Sequence, residues 1–127
     1  MVNALCKDGW TITHDPFRVK WKTRRLQIDL GAERLLAAER GAEKIAVEVK
    51  SFISPNDLED LYQALGQFIL YRKALHKADP DRVLYLALSE SAYREAFADE
   101  EGESLRLEEE IKLLVFEPQT EEVVLWK

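Results

Sequence analysis

Two short segments of this chain are polar where a buried strand should be apolar, and together they could hold a divalent cation over a phosphate. Ile45-Ala46-Val47-Glu48-Val49-Lys50 reads as a buried strand. Side chains alternate along a strand, so Ile45, Val47 and Val49 face one way and Ala46, Glu48 and Lys50 the other. Glu48 and Lys50 are then neighbours on one face, roughly 6.6 Å apart along the strand. Leu26-Gln27-Ile28-Asp29-Leu30 repeats the pattern and puts Gln27 and Asp29 on one face. Phosphodiester cleavage requires neutralised charge on the transition state, an activated water and a stabilised leaving oxygen, and one or two Mg²⁺ ions held by carboxylates meet most of this demand. Mg²⁺ takes oxygen ligands and keeps several waters, so two protein carboxylates suffice. Asp29 and Glu48 fill that role if their strands are neighbours, with the backbone carbonyl of Val49 as a further ligand. Lys50 could orient or activate the attacking water and screen the phosphate. Asp29, Glu48 and Lys50 are thus the expected catalytic set, with Mg²⁺ or Mn²⁺ as cofactor.

Gln67 and Tyr71 are four residues apart on a predicted long helix and so project from one side of it. An amide and a phenol there could brace a metal-bound water or a DNA phosphate. Arg18, Lys20, Lys22 and Arg24 alternate with Phe17, Val19 and Trp21, which a continuous strand would turn into a basic outer face and an apolar inner one. That face suits phosphate contacts. It suits equally a charged edge strand that discourages sheet-to-sheet aggregation. Taken singly, Glu48 and Lys50 could be an ion pair on a wet strand face, and Gln67 with Tyr71 could be helix packing. The chemistry follows only from the set.

These residues need elements to position them. Met1 to Asp8 has helical spacing at Val2, Leu5 and Cys6, with Gly9 as its C-cap. Trp10 to Thr13 is a predicted strand, followed by a turn at His14-Asp15-Pro16. Phe17 to Trp21 and Arg25 to Leu30 are further strands. Ala32 to Arg40 has strong helix propensity, yet Gly41 and the Glu48 strand follow, and an extended arm entering a hairpin is the expectation. Ser54-Pro55-Asn56-Asp57 has the form of a helix start. Leu58, Leu61, Tyr62, Leu65, Phe68, Ile69 and Leu75 form the apolar face of that helix, which should end near Ala78, before Pro80. Arg82 to Leu88 is a buried strand and Glu90 to Ala98 a short helix. The acidic run from Asp99 to Glu110 reads as a solvated loop and helix end. Lys112 to Phe116 and Val123 to Trp126 are strands with a turn at Pro118. The order predicts an α/β fold, a mixed central β-sheet flanked by α-helices.

The length of 127 residues fits one domain over 1–127, and 46% hydrophobic with 33% charged residues is too apolar for disorder. No segment has the length of a membrane span and no leader is evident, so a cytoplasmic protein is expected. Cys6 is the lone cysteine, and His14 and His76 are the two histidines, which excludes an intrachain disulfide and disfavours a zinc centre. A net charge of −6 argues against non-specific coating of nucleic acid, although a local basic stripe can still meet a phosphate backbone.

Asp29, then Glu48-Val49-Lys50, then Gln67-x-x-x-Tyr71 resembles the PD-(D/E)XK nuclease superfamily, in particular its RecB-like branch. The stretches Asp29-Leu30-Gly31-Ala32-Glu33-Arg34, Ala46-Val47-Glu48-Val49-Lys50-Ser51-Phe52 and Ala64-Leu65-Gly66-Gln67-Phe68-Ile69-Leu70-Tyr71 are more closely similar to the XisH family, the fdxN element excision controlling factors of cyanobacteria. The opening Lys7-Asp8-Gly9-Trp10-Thr11-Ile12-Thr13-His14-Asp15-Pro16 fits the same family. The resemblance implies a restriction-endonuclease-like core, metal-binding acids at Asp29 and Glu48, a catalytic lysine at Lys50 and a supporting pair at Gln67 and Tyr71. It implies a role in programmed DNA excision, with DNA and an XisI-like protein as partners. Related chains usually carry an acidic or histidine residue on a longer first helix, and none precedes Cys6. Two functions compete: a metal-dependent endonuclease, and a catalytically inactive nuclease-fold regulator of a recombinase that binds DNA or protein. The sequence leaves monomer, homodimer and hetero-complex open.

Overall fold

The computed structural model describes residues 1–19, 34–50 and 58–127. Its elements are α1 (Val2–Lys7), β1 (Thr11–His14), β2 (Leu35–Arg40), β3 (Glu43–Lys50), α2 (Leu58–Ala78), β4 (Val83–Ser89), α3 (Glu90–Ala96), α4 (Glu100–Glu108), β5 (Leu113–Glu117) and β6 (Glu122–Trp126). The described strands form one six-stranded sheet in the order β1-β2-β3-β4-β5-β6. β1, β2 and β3 pair antiparallel in turn, as do β5 and β6. β3 with β4, and β4 with β5, pair parallel. Parallel neighbours require crossover connections. α2 lies between β3 and β4 in the chain, and α3 and α4 lie between β4 and β5. The result is the expected mixed sheet flanked by helices.

The arm before Glu48 is a strand despite its helix-forming composition. Leu35-Leu36-Ala37-Ala38 is buried throughout, because β2 lies between β1 and β3 and must contribute to both faces of the sheet. Leu35 joins the core on one face, and Leu36 and Ala38 join the core on the other. Arg40 pairs with Glu43, so Gly41 and Ala42 form a two-residue hairpin loop. Gly41 has φ +60°, the conformation that such tight hairpin turns demand and that glycine adopts without a side-chain clash.

One core packs Ala46, Leu86, Leu88 and Leu113 of the sheet against Ala64, Phe68 and Leu75 of α2, Ala92 of α3 and Phe97 beyond it. The second core packs Ile45, Val47, Ala87 and Leu114 with Leu5 of α1 and Trp10. α2 ends at Ala78 as predicted. Among the described residues, no helix is long and apolar enough to cross a membrane.

Three expectations need correction. Phe17, Arg18 and Val19 are not part of a strand. Pro16 has no N–H to give, and one backbone bond, Phe17 N to Leu35 O at 2.6 Å, ties this stretch to β2. The acidic run is solvated as expected but more helical than a loop and helix end: Glu100–Glu108 is one helix. The Asp99 side chain accepts from Gly102 N at 2.7 Å, and Glu100, Glu101 and Glu103 in the first turn oppose the positive end of the helix dipole. Tyr62, assigned to the apolar face of α2, is 68% exposed. The predicted strand Arg25 to Leu30 and the helix start at Ser54 lie outside the described residues.

Candidate functional site

β3 has the alternation that the candidate chemistry requires. Ile45 and Val47 belong to the α1-side core and Val49 packs against it, whereas Ala46 belongs to the α2-side core. Glu48 and Lys50 therefore project toward α2. The register agrees: Glu48 stands opposite Leu35 and Leu86, and Lys50 opposite Leu88, all three members of the α2-side core. Glu48 is 2% exposed and Lys50 8%. Removing a carboxylate and an ammonium from water costs several kcal/mol each, even after relaxation. A sequence optimised for stability alone would place apolar residues there.

Lys50 is the last residue of β3, at the carboxyl end of a parallel pair. Ligands of open α/β sheets bind at that end of the strands.

α2 supplies the neighbouring polar group. Ala64 and Phe68 face the sheet, and Gln67 between them is 9% exposed, so its amide lies at this interface. Tyr71, one turn later, is half-buried and packs against the same core. Both belong to the buried side of α2, closer to the core than their position outside the apolar stripe suggested. Glu48, Lys50, Gln67 and Tyr71 are thus gathered on one side of the sheet.

Other predicted site residues fall differently. Asp29, Lys20, Lys22 and Arg24 lie outside the described residues. Arg18 is exposed, while Phe17 and Val19 beside it pack on the α2-side core, which keeps the predicted inner and outer faces. Val49 donates its N–H to Arg34 O at 2.8 Å, and its side chain is on the far face. Among the described residues, no three histidine, cysteine or acidic side chains converge as a metal cluster. Glu48 offers the hard oxygen ligand that Mg²⁺ or Mn²⁺ takes, which fits such an ion as one half of the two-carboxylate set.

Two shifted ionisable groups lie away from these side chains. The Arg106 hydrogen bond holds the Glu103 carboxyl below its ordinary range. Burial, with Glu43 nearby, pushes the Tyr85 phenol up, on the α1 side of the sheet.

Two groups of residues escaped the sequence reading. Arg82 reads from sequence as the first residue of a strand, yet it immediately precedes β4 and its guanidinium is buried. It bonds Asp79 Oδ2 at 3.1 Å, Ile45 O at 3.0 Å and Glu39 Oε1 at 3.5 Å, which clamps the start of β4 to β2 and β3. Arg72 and His76, four apart on α2, line a cavity with Lys112. Their helical spacing was the one available signal, and Lys112 comes from a distant segment.

The fold and these side chains define a mixed α/β protein with a buried acid–lysine pair on a central strand. The chain belongs to the XisH family: the family model, described as XisH protein, matches residues 1–124. The structure is similar to the crystal structure of an XisH family protein from Nostoc punctiforme PCC 73102, with a TM-score of 0.86, 40% identity and coverage of 98% of this chain and 93% of that one. It is equally similar to a fdxN element excision controlling factor protein from Anabaena variabilis, with a TM-score of 0.86, 41% identity and coverage of 98% and 92%. A comparison with curated proteins finds no match.

Proposed function

We propose that this chain acts in programmed DNA excision, as an fdxN element excision controlling factor, through a phosphodiester-cleaving site of the PD-(D/E)XK type. The observation that carries this reading is the burial of Glu48 and Lys50 side by side on the α2 face of β3. A divalent cation bound by Glu48 and Asp29 would supply charge neutralisation at the scissile phosphate. The Lys50 amine lies in a low-dielectric setting, where a donor aimed at developing negative charge acts more strongly than one on the surface. Its N–H groups can orient a water for attack. Gln67 and Tyr71, on the same side of the sheet, would offer an amide and a hydroxyl to fix that water or a phosphate oxygen. Arg18, with Lys20, Lys22 and Arg24, would hold the DNA backbone.

Calorimetric titration with Mn²⁺ tests the cation site. Wild type should bind, and Asp29→Ala and Glu48→Gln should lose the signal. Equal heats in all three proteins remove the metal site. DNA retention at low salt tests the basic segment: Arg18, Lys20 and Lys22 changed together to Glu should abolish it. Retention without Mg²⁺-dependent cleavage would favour a regulator that binds DNA and leaves it intact.

A further inference from the structure

At the other end of the sheet from Lys50 the structure contains a cavity of about 150 Å³. It opens between the last turns of α2, the first residues of β4 and the approach to β5. Its floor is apolar at Leu75 and Leu84, and the Arg72 guanidinium covers the Phe68 ring at 5.4 Å.

The rim has the opposite character. Arg72, His76 and Lys112 line it, in a chain whose net charge is −6. Arg72 Nη1 donates to Glu109 O at 2.9 Å and Glu110 O at 3.0 Å, so the carboxyl end of α4 fixes the guanidinium in place. These carbonyls use one of its nitrogens and leave its other donors, and it has no carboxylate partner among the described residues. His76 and Lys112 are exposed, and among the described residues neither side chain has a hydrogen-bond or ion-pair partner. Arg82 also lines the cavity, but Asp79 and Glu39 balance its charge. Glu110 is the single acid on the lining. It is held there at φ +54°, a left-handed conformation unfavourable for a residue with a Cβ.

The geometry points to a binding site for a small organic acid, an aromatic or branched apolar group carrying one carboxylate. The apolar part lies against Leu75 and Leu84. The carboxylate meets Lys112, His76 and the free donors of Arg72. Donors to a carboxylate act as charge-assisted hydrogen bonds, which discriminate an acid from its neutral amide. This site is independent of the Glu48–Lys50 reading. Leu84 and Leu88 of β4 are four residues apart, roughly 13 Å along the strand.

The test is a titration of the ¹⁵N-labelled full chain with phenylacetate, phenylacetamide and acetate, followed by amide chemical shifts. Phenylacetate should produce saturable shifts centred on Leu84, His76 and Lys112, with a Kd of about millimolar order. Phenylacetamide and acetate should each bind at least about 5-fold more weakly. Lys112→Ala and His76→Ala, both at exposed positions, should weaken phenylacetate about 3- to 10-fold, and Glu110→Gln should tighten it. Phenylacetamide binding as well as phenylacetate, Lys112→Ala binding like wild type, or no saturable shift by about 20 mM ligand would each overturn the assignment.

Discussion

Trp126 of β6 donates its indole N–H to the Asp8 carboxylate at 3.2 Å, so the last strand is bonded directly to the end of the first helix. Around this contact the Trp10 ring lies 5.8 Å from that of Trp126, Tyr85 meets Trp126 edge-on at 5.0 Å, and the Arg40 guanidinium sits 4.4 Å over Trp10. Among the described strands, Trp10 precedes the first of the sheet order and Trp126 belongs to the last, so this cluster joins β1 to β6 over the α1-side core. A hydrogen bond to a charged acceptor contributes roughly 1.5–3 kcal/mol when buried, and less in this half-buried setting. Trp126→Phe should cost about 1–2 kcal/mol, and Asp8→Ala about 1. Urea midpoints of the two single variants and the double variant check this. The double variant should lose less than the sum. Strict additivity would show that the two residues do not act through one bond.

Two glycines should respond oppositely to the same change. A Cβ on Gly102 would sit against the Ala96 carbonyl oxygen and 2.6 Å from Phe97 Cα, and neither backbone atom can swing away. Gly102→Ala should therefore cost about 2–3 kcal/mol. A Cβ on Gly66, within α2, meets nothing within 4 Å. Gly66→Ala should raise stability by about 0.5–1 kcal/mol, because alanine loses less backbone freedom on entering a helix. Thermal melts of both variants decide it.

Glu103 should set part of the acid sensitivity. Its carboxylate pairs with Arg106 and lies 3.5 Å from Lys127 Nζ, which links α4 to the C-terminal residue. The Arg106 hydrogen bond lowers its folded-state pKa. A lowered folded value means that the contribution is fully present above the unfolded pKa and is lost as pH falls through the folded one. Urea midpoints taken between about pH 6 and pH 3 should therefore fall less steeply for Glu103→Gln than for wild type. Parallel slopes would contradict this assignment.

Much of the candidate site was legible because polar residues interrupt a strand at a fixed period. Ile45, Val47 and Val49 declared one face of β3, and Glu48 and Lys50 had to occupy the other. The extended reading of the arm before Gly41 also survived, since tertiary pairing on both sides of β2 outweighs the helix propensity of its alanines. α4 was hidden for a different reason. Its acids carry no apolar stripe, and its start rests on one Asp99 cap and a buried glycine rather than on periodicity. Tyr62 shares helical spacing with the core residues of α2 and is nonetheless exposed, because spacing does not say how far a packed face extends along a helix. The organic-acid cavity could not be read locally at all, since Arg72 and His76 come together with Lys112 through the sheet order.

The central claim concerns Glu48 and Lys50, and conversion of supercoiled plasmid DNA to nicked circles tests it most directly. Wild type should nick in Mg²⁺ or Mn²⁺ and stop in excess chelator. Lys50→Met, with its fold verified by circular dichroism, should slow nicking by about 10²-fold or more. Wild-type protein that never nicks DNA with either cation, or a Lys50→Met variant that cuts at the wild-type rate, would contradict the account.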